Sequence, residues 1–249
     1  MKSILLITLA LTYSITSLSQ VKDIDGKKYK TVKIGNQVWM AENLNVSHFN
    51  NGDTIIHART NEQWQDAINK GIPAWCYYEN DKDFFGKKCA KLYNVFAVID
   101  PRGLAPKGWH VPDSIDYRIL INHLGGDSIA GYKMKSKSGW LRQDLVAEDT
   151  TTTDPNGSNE SGFTAIPGGY RMCDYFNHGY EYGEWWTSSK SNVRYGSKSD
   201  FKVAYVSMWY SYEYGYDGIL FNSDYVYTED KVSFKSDYCH GLSVRCLKD

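Results

Sequence analysis

The sequence predicts an α+β fold carried by one domain, and three observations predict it. Two segments in the first half show amphipathic helical spacing bounded by start and stop residues. Strand-like segments lie before and after them, and those of the second half read as short pieces broken by glycine. No Pro/Gly/Ser-rich linker and no internal repeat divides the chain. Strands and helices kept in separate runs fit an antiparallel α+β arrangement better than a parallel α/β sheet. The expectation is therefore short antiparallel strands, two main helices and long loops.

The N-terminus comes first. Lys2 precedes a largely apolar run from Ile4 to Leu11, and small and polar residues end in Ser17-Leu18-Ser19. A charged start, an apolar core and a small-x-small site read as a signal peptide over 1–19, leaving a mature domain over 20–249. The run is too short to span a bilayer, and no later stretch is long and apolar enough for a transmembrane helix. The expected location is secreted or periplasmic.

A β-hairpin follows. Val32 and Ile34 alternate in Tyr29–Ile34, Gly35-Asn36 supplies the turn, and Gln37–Met40 returns. The first helix fits Asn61–Lys70, with Thr60 as cap, Gln63 completing a capping box, and Trp64, Ala67 and Ile68 on one face. Lys91–Ile99 reads as a strand. The second helix fits Ser114–Leu124, opened by Pro112-Asp113 and closed by Gly125-Gly126, with Ile119, Leu120, Ile121 and Leu124 inward. Lys133, Lys135 and Lys137 alternate as on a solvated edge. Residues 148–162 form a polar loop. Short strands are expected around Tyr170-Arg171, Trp185–Ser188, Val203–Tyr210 and Leu242–Leu247.

Composition narrows the partners. The 249 residues carry a formal net charge of −1 and no basic stripe, so nucleic acid is not an expected partner. Aromatic residues make up 15%, with 20 Tyr and 8 Trp, a richness shared by wet binding surfaces and β-rich cores. The five cysteines, Cys76, Cys89, Cys173, Cys239 and Cys246, are all disulfide candidates in an exported chain. Their number is odd, their connectivity is open, and their spacings lack paired C-x-x-C zinc ladders.

Several stretches in order carry a resemblance: Ile34-Gly35-Asn36-Gln37-Val38-Trp39-Met40-Ala41-Glu42-Asn43-Leu44-Asn45, then Ala74-Trp75-Cys76-Tyr77-Tyr78-Glu79-Asn80-Asp81 and Leu92-Tyr93-Asn94, then Arg102–Pro112, Pro167-Gly168-Gly169-Tyr170-Arg171, Trp185-Trp186, and the closing Gly241-Leu242-Ser243-Val244-Arg245-Cys246. The chain resembles the Fibrobacter succinogenes major paralogous domain over nearly all of its mature length. That family is distantly similar to the C-type-lectin-like fold and to formylglycine-generating, sulfatase-modifying enzymes, a similarity carried by Pro112 with its helix and by the terminal segment. The resemblance therefore implies a C-type-lectin-like domain. Ala105 stands where the family often has Cys, and Asp116-Tyr117 where it often has Glu-Trp. Cys89, Cys173 and Cys239 are particular to this chain.

Three constellations bear on chemistry. The run Trp209-Tyr210-Ser211-Tyr212-Glu213-Tyr214-Gly215-Tyr216-Asp217 places Tyr210, Tyr212, Tyr214 and Tyr216 on one strand face, with Glu213 and Asp217 for polar contacts. Such a face either stacks sugar or peptide, or packs on a neighbouring strand. Asp154, Asn156, Asn159 and Glu160 form an oxygen-rich loop that could hold calcium or serve only as an Asx turn. Cys239-His240 and Cys246 invite comparison with the copper-binding cysteines of the sulfatase-modifying enzymes, although spacing and flanks differ. None of the six histidines sits in a catalytic pattern, and His110 reads as structural. The expectation is a non-enzymatic exported recognition module that binds glycan or extracellular protein, requires no cofactor, and takes calcium if any metal. The alternatives are a sulfatase-modifying-type oxidase and a structural cell-envelope protein.

Overall fold

The computed structural model describes residues 20–141, 155–195, 198–211, 216–227 and 239–249. The expected signal peptide, Asp154 and the run 212–215 lie outside them. The chain is mixed helix and sheet, as its pattern predicts.

The hairpin forms as expected. Lys28–Ile34 pairs with Gln37–Met40, and Ile34 opposite Gln37 leaves a two-residue turn. Gly35 takes φ +59 there, and a Cβ at this position would meet the His123 ring at 3.1 Å. The hairpin is covered on both faces. Thr31 and Met40 face one way with Tyr29, while Val32 and Trp39 face the other with Ile34. This explains why the strand is not a simple inside–outside alternation. The hairpin belongs to a five-stranded antiparallel sheet in the order Gln20–Lys22, Lys28–Ile34, Gln37–Met40, Leu247–Lys248, Trp109–His110. The end of the chain thus returns to its beginning.

A second sheet runs Ile56–His57, Ala74–Cys76, Leu92–Asn94, Gly241–Leu242, Tyr170–Arg171, Phe176–Asn177. Between the two sheets, Ser243–Cys246 forms no continuous strand. The expected single strand Leu242–Leu247 is instead two short ones. Met40 and Leu44 donate their N–H groups to the carbonyls of Cys246 and Val244, and Trp186 donates to that of Ser243. The segment is paired along its length without being one ladder, because it crosses from one sheet to the other.

The helices follow their caps. The first spans Asn61–Asn69 and buries Trp64, Ala67 and Ile68, the expected face. Thr60 accepts from Gln63 N–H, but the Gln63 side chain accepts from Arg59 N–H rather than closing the box on Thr60. Gly71 N–H to Ile68 and Ile72 N–H to Ala67 close a Schellman end with Gly71 at φ +65. The second helix, Ser114–His123, carries a full Asp113–Asp116 capping box. Its inward face corrects the expectation: Tyr117 is fully buried against Trp39, at 5.0 Å between rings, and Ile119 is 51% exposed. The aromatic ring out-competes the aliphatic residue for the space over the hairpin.

Three further expectations are corrected. Lys91–Ile99 is not one strand: Asn94 ends the strand Leu92–Asn94 and caps a one-turn helix Val95–Val98 by accepting from Ala97 N–H. A third helix, Asp127–Met134, begins directly at Gly126. The alternating lysines are not a solvated edge, because Lys135 is fully buried with its Nζ 4.6 Å from the Trp140 ring centre.

The second half differs most from its expected short strands. Gly183–Tyr195, Lys198–Ser211 and Tyr216–Tyr227 form a three-stranded antiparallel meander. Its first two strands shift register between Trp186 and Lys190. Strands of 12–14 residues escape a reading that takes each internal Gly or Ser as a stop.

His57 gives the fold a testable pH dependence. Its ring stacks on Trp75 at 3.8 Å and its Nδ1 accepts from Arg59 Nε at 3.1 Å. Burial first, then the charges of Arg59, Lys91 and Lys82, lower its pKa from 6.5 to about 4. The unfolded chain therefore takes up more protons between those values, so stability falls as pH drops from 6.5 towards 4. Partial exposure keeps the effect small. In denaturant titrations at stepped pH, His57→Phe is expected to flatten this slope. An unchanged slope would assign it to other groups.

Candidate functional site

The expected tyrosine row is only partly within reach of the structure. Tyr212, Glu213 and Tyr214 lie outside the described residues. Tyr210, Tyr216 and Asp217 are described as backbone only, with Tyr210 opposite Asp217 and Ser211 opposite Tyr216 in the meander. Trp209 is described in full, and it leads to a site.

Strand register builds this site. Trp186 faces Tyr205 and Glu184 faces Ser207 across the first two strands of the meander. Residues two apart share a face, so Trp186, Glu184 and Tyr182 meet Tyr205, Ser207 and Trp209 on the same side. All three pairs make contact. Trp186 and Tyr205 meet edge to face at 5.9 Å. Ser207 Oγ donates to Glu184 Oε1 at 2.6 Å. Tyr182 and Trp209 lie nearly parallel at 5.8 Å and 12°.

Rings from elsewhere complete a circuit. Tyr182 touches His178 at 4.6 Å, His178 touches Tyr170 at 5.7 Å, Tyr170 touches His240 at 5.7 Å, and His240 touches Tyr205 at 5.9 Å. The strand Tyr170–Arg171 brings Tyr170 and the segment before Gly241 brings His240, because those strands are neighbours in the second sheet. The result is a bowl of six half-buried rings, Tyr170, His178, Tyr182, Tyr205, Trp209 and His240, around the Glu184–Ser207 pair. Glu184 itself is only 6% exposed.

The polar edge of the bowl is held in place. His178 Nδ1 lies 2.8 Å from Glu181 Oε2, and Asn177 Nδ2 donates to the Tyr170 hydroxyl at 3.4 Å. Burial, helped by the negative charge of Glu184, pushes the Tyr170 phenol up to about 12, so it stays a neutral donor. Aromatic faces with acceptors at their edges suit a ligand that is apolar on its flats and hydroxylated on its rim. Sequence reasoning reached Trp209, and singled out His240 only as a metal candidate beside Cys239, but missed the other four rings. The available signal was the Tyr182/Glu184/Trp186 and Tyr205/Ser207/Trp209 alternation.

The remaining expected residues have other surroundings. Asn156 Oδ1 accepts from Trp140 N–H, and Asn159 Oδ1 accepts from Thr164 N–H while its Nδ2 donates to Thr164 Oγ1. Asn156 therefore ties its loop to Trp140 while Asn159 pins its own turn, and Glu160 N–H donates to Ser158 Oγ. Among the described residues no group of three or more His, Cys, Asp or Glu side chains is placed to hold a metal. Cys173 is bonded to Cys239, while Cys76, Cys89 and Cys246 are free thiols buried in the core. Cys239 and Cys246 are thus not brought together as a pair. Burial raises the Cys76 and Cys89 thiols to about 11 and Cys246 further, so none is poised as a thiolate. His110 lies with its Nδ1 2.8 Å from Asp249 and its Nε2 3.2 Å from Asp116, so its ring bridges the last residue and the second helix. Among the described residues no helix is long and apolar enough to cross a membrane.

A family model described as the Fibrobacter succinogenes major domain matches residues 32–248. No curated protein and no solved structure matches the chain.

Proposed function

The chain belongs to the Fibrobacter succinogenes major domain family, and from that premise we propose that it is a non-enzymatic recognition module that binds glycan at the cell exterior. The observation that carries the reading is the bowl of six half-buried rings around Glu184 and Ser207. A pyranose presents C–H groups on its faces and hydroxyls on its edge. Trp209, Tyr182 and Tyr170 offer the stacking surfaces, and Glu184, Glu181 and Asn177 offer hydrogen-bond partners. Three supports favour a C-type-lectin-like architecture: Pro112 leading into the Asp113-capped helix, the buried terminal segment Gly241–Cys246, and a last strand that returns to the first hairpin. The Cys173–Cys239 disulfide fits an oxidising compartment, in keeping with export.

The test is a glycan array probed with the purified protein, with calcium and then with chelator. Neutral glycans are expected to be retained, and Trp209→Ala to weaken them at least about tenfold, a loss of about 1.4 kcal/mol. Glu184→Gln is expected to weaken hydroxyl recognition while leaving the fold intact. Loss of signal in chelator would return calcium to the 156–160 loop. A blank array with folded protein would sink the glycan reading and leave the bowl as packing.

A further inference from the structure

Away from the bowl, and sharing no residue with it, lies a cleft of about 550 Å³. It runs between the start of the hairpin, the Glu42–Asn45 segment and the helical turn after Asp81. Five lysines line it: Lys27, Lys28, Lys82, Lys87 and Lys88. The buried Arg245 guanidinium lies at its inner wall, and among the described residues Glu42 is the one carboxylate in the lining. Six cations against one anion is a sharp local excess in a chain of formal net charge −1.

Concentrating like charges in a concave surface costs self-repulsion, and the low-dielectric wall focuses their field outward. Among the described residues, Glu42 and Asp23 act on Lys27 and little neutralises the other lysines. Lys87 reaches only the exposed Asp83, at 3.3 Å, and Lys88 lies over the Tyr180 ring. Lys27 is half-buried, and that burial lowers its pKa despite the opposing pull of Glu42 and Asp23. Arg245 is committed inward to Phe163 O, Thr164 O and Asn43 Oδ1, yet among the described residues its fully buried Nε has no hydrogen-bond partner, and neither has Oδ1 of Asn45, another lining residue. One wall is aromatic and rigid. Tyr77 packs edge-on against Trp75 at 5.2 Å, and Gly86 sits so close that a Cβ would meet the Tyr77 ring at 2.8 Å.

We infer that this cleft is a second binding site, which takes an acidic glycan segment through its carboxylate or sulfate groups. Lysines supply point charges on flexible stems rather than the bidentate fork of arginine, which suits several anionic groups spread along a chain. The volume is that of an ordinary ligand site. That the anions are borne on a glycan rests on the recognition reading above. The anion site itself rests only on the cleft.

The experiment is calorimetric titration of the full protein with trigalacturonate, a sulfated chondroitin tetrasaccharide and a neutral trisaccharide. At least one acidic probe is expected to bind, with affinity falling roughly tenfold or more as salt rises and screening shortens. The pair of charge reversals Lys28→Glu and Lys82→Glu, both at exposed positions, is expected to weaken that binding at least about tenfold. Trp209→Ala is expected to leave it unchanged. The two acidic probes tell carboxylate from sulfate recognition. Failure of both acidic probes to bind folded protein overturns the inference, as does binding that survives the reversals. Loss of neutral-glycan binding in Trp209→Ala, scored separately, reports on the bowl and not on the cleft.

Discussion

Replacing Cys173 and Cys239 together by serine is expected to lower the unfolding free energy by about 4 kcal/mol and the melting temperature by roughly 10 °C. The two residues stand 66 apart in sequence, so the bond closes a long loop and removes much chain entropy from the unfolded state. It also fixes the approach to Gly241–Leu242, which sits between Leu92–Asn94 and Tyr170–Arg171 in the second sheet. Trp64 Nε1 donates to the Cys239 carbonyl at 2.8 Å, so the first helix is tied to the same point. Denaturant unfolding with and without reductant measures the loss. Thiol titration gives an independent check: no reaction in the native protein, three thiols on denaturation, and five once reductant has been applied and removed. A stability change under about 1 kcal/mol would mean that the unfolded chain already holds this loop closed.

Asn43→Ala is the second large effect, expected at about 4 kcal/mol or complete failure to fold. Asn43 ties its own segment to three distant parts of the chain. Its Nδ2 donates to Cys89 O at 3.1 Å and to Ser243 Oγ at 3.2 Å, and its Oδ1 accepts from Trp185 Nε1 at 2.9 Å and Arg245 Nη2 at 2.6 Å. All of these partners are buried. Truncation strands them, and each buried polar group left unpaired costs about 1–3 kcal/mol. The Arg245 charge is the costliest, since no carboxylate touches it in the described contacts and its pKa is already lowered to about 10 by burial. Asn43→Asp separates this account from simple loss of packing. It keeps both acceptor roles and places a carboxylate against Arg245, but loses both Nδ2 donations: Ser243 Oγ can turn to donate in its place, whereas the Cys89 carbonyl is left without its donor. Its loss should be clearly the smaller, by at least about 1.5 kcal/mol. Equal losses for the two variants would make volume, not hydrogen bonding, the reason for Asn43.

Such a hub also links the two proposed sites. Trp185 belongs to the strand that carries Glu184, and Arg245 and Asn43 both border the lysine cleft. A structural variant at Asn43 is therefore a poor probe of either site. The tests rest instead on Trp209, Lys28 and Lys82.

The sequence by itself determined the elements whose causes are local. Gly35 in its two-residue turn, Thr60 before Trp64, Ala67 and Ile68, and Asp113 with Asp116 each act within a few residues, and each element formed where those residues placed it. The family was legible for a related reason, since its motifs are contiguous. Tertiary structure alone decided the rest. Tyr117 rather than Ile119 turned inward because Trp39 of the hairpin offered a ring to pack against. Lys135 was buried because Trp140 lay over it. Cys173 found Cys239 only when strands separated by tens of residues became neighbours. The bowl needed the register that sets Glu184 opposite Ser207 and the sheet order that brings Tyr170 and His240 to it. The lysine cleft likewise gathers Lys27 and Lys28 with Lys82, Lys87 and Lys88, two groups that look like ordinary scattered charge along the chain. Alternation shows which residues share a face, but only long-range pairing decides which faces meet.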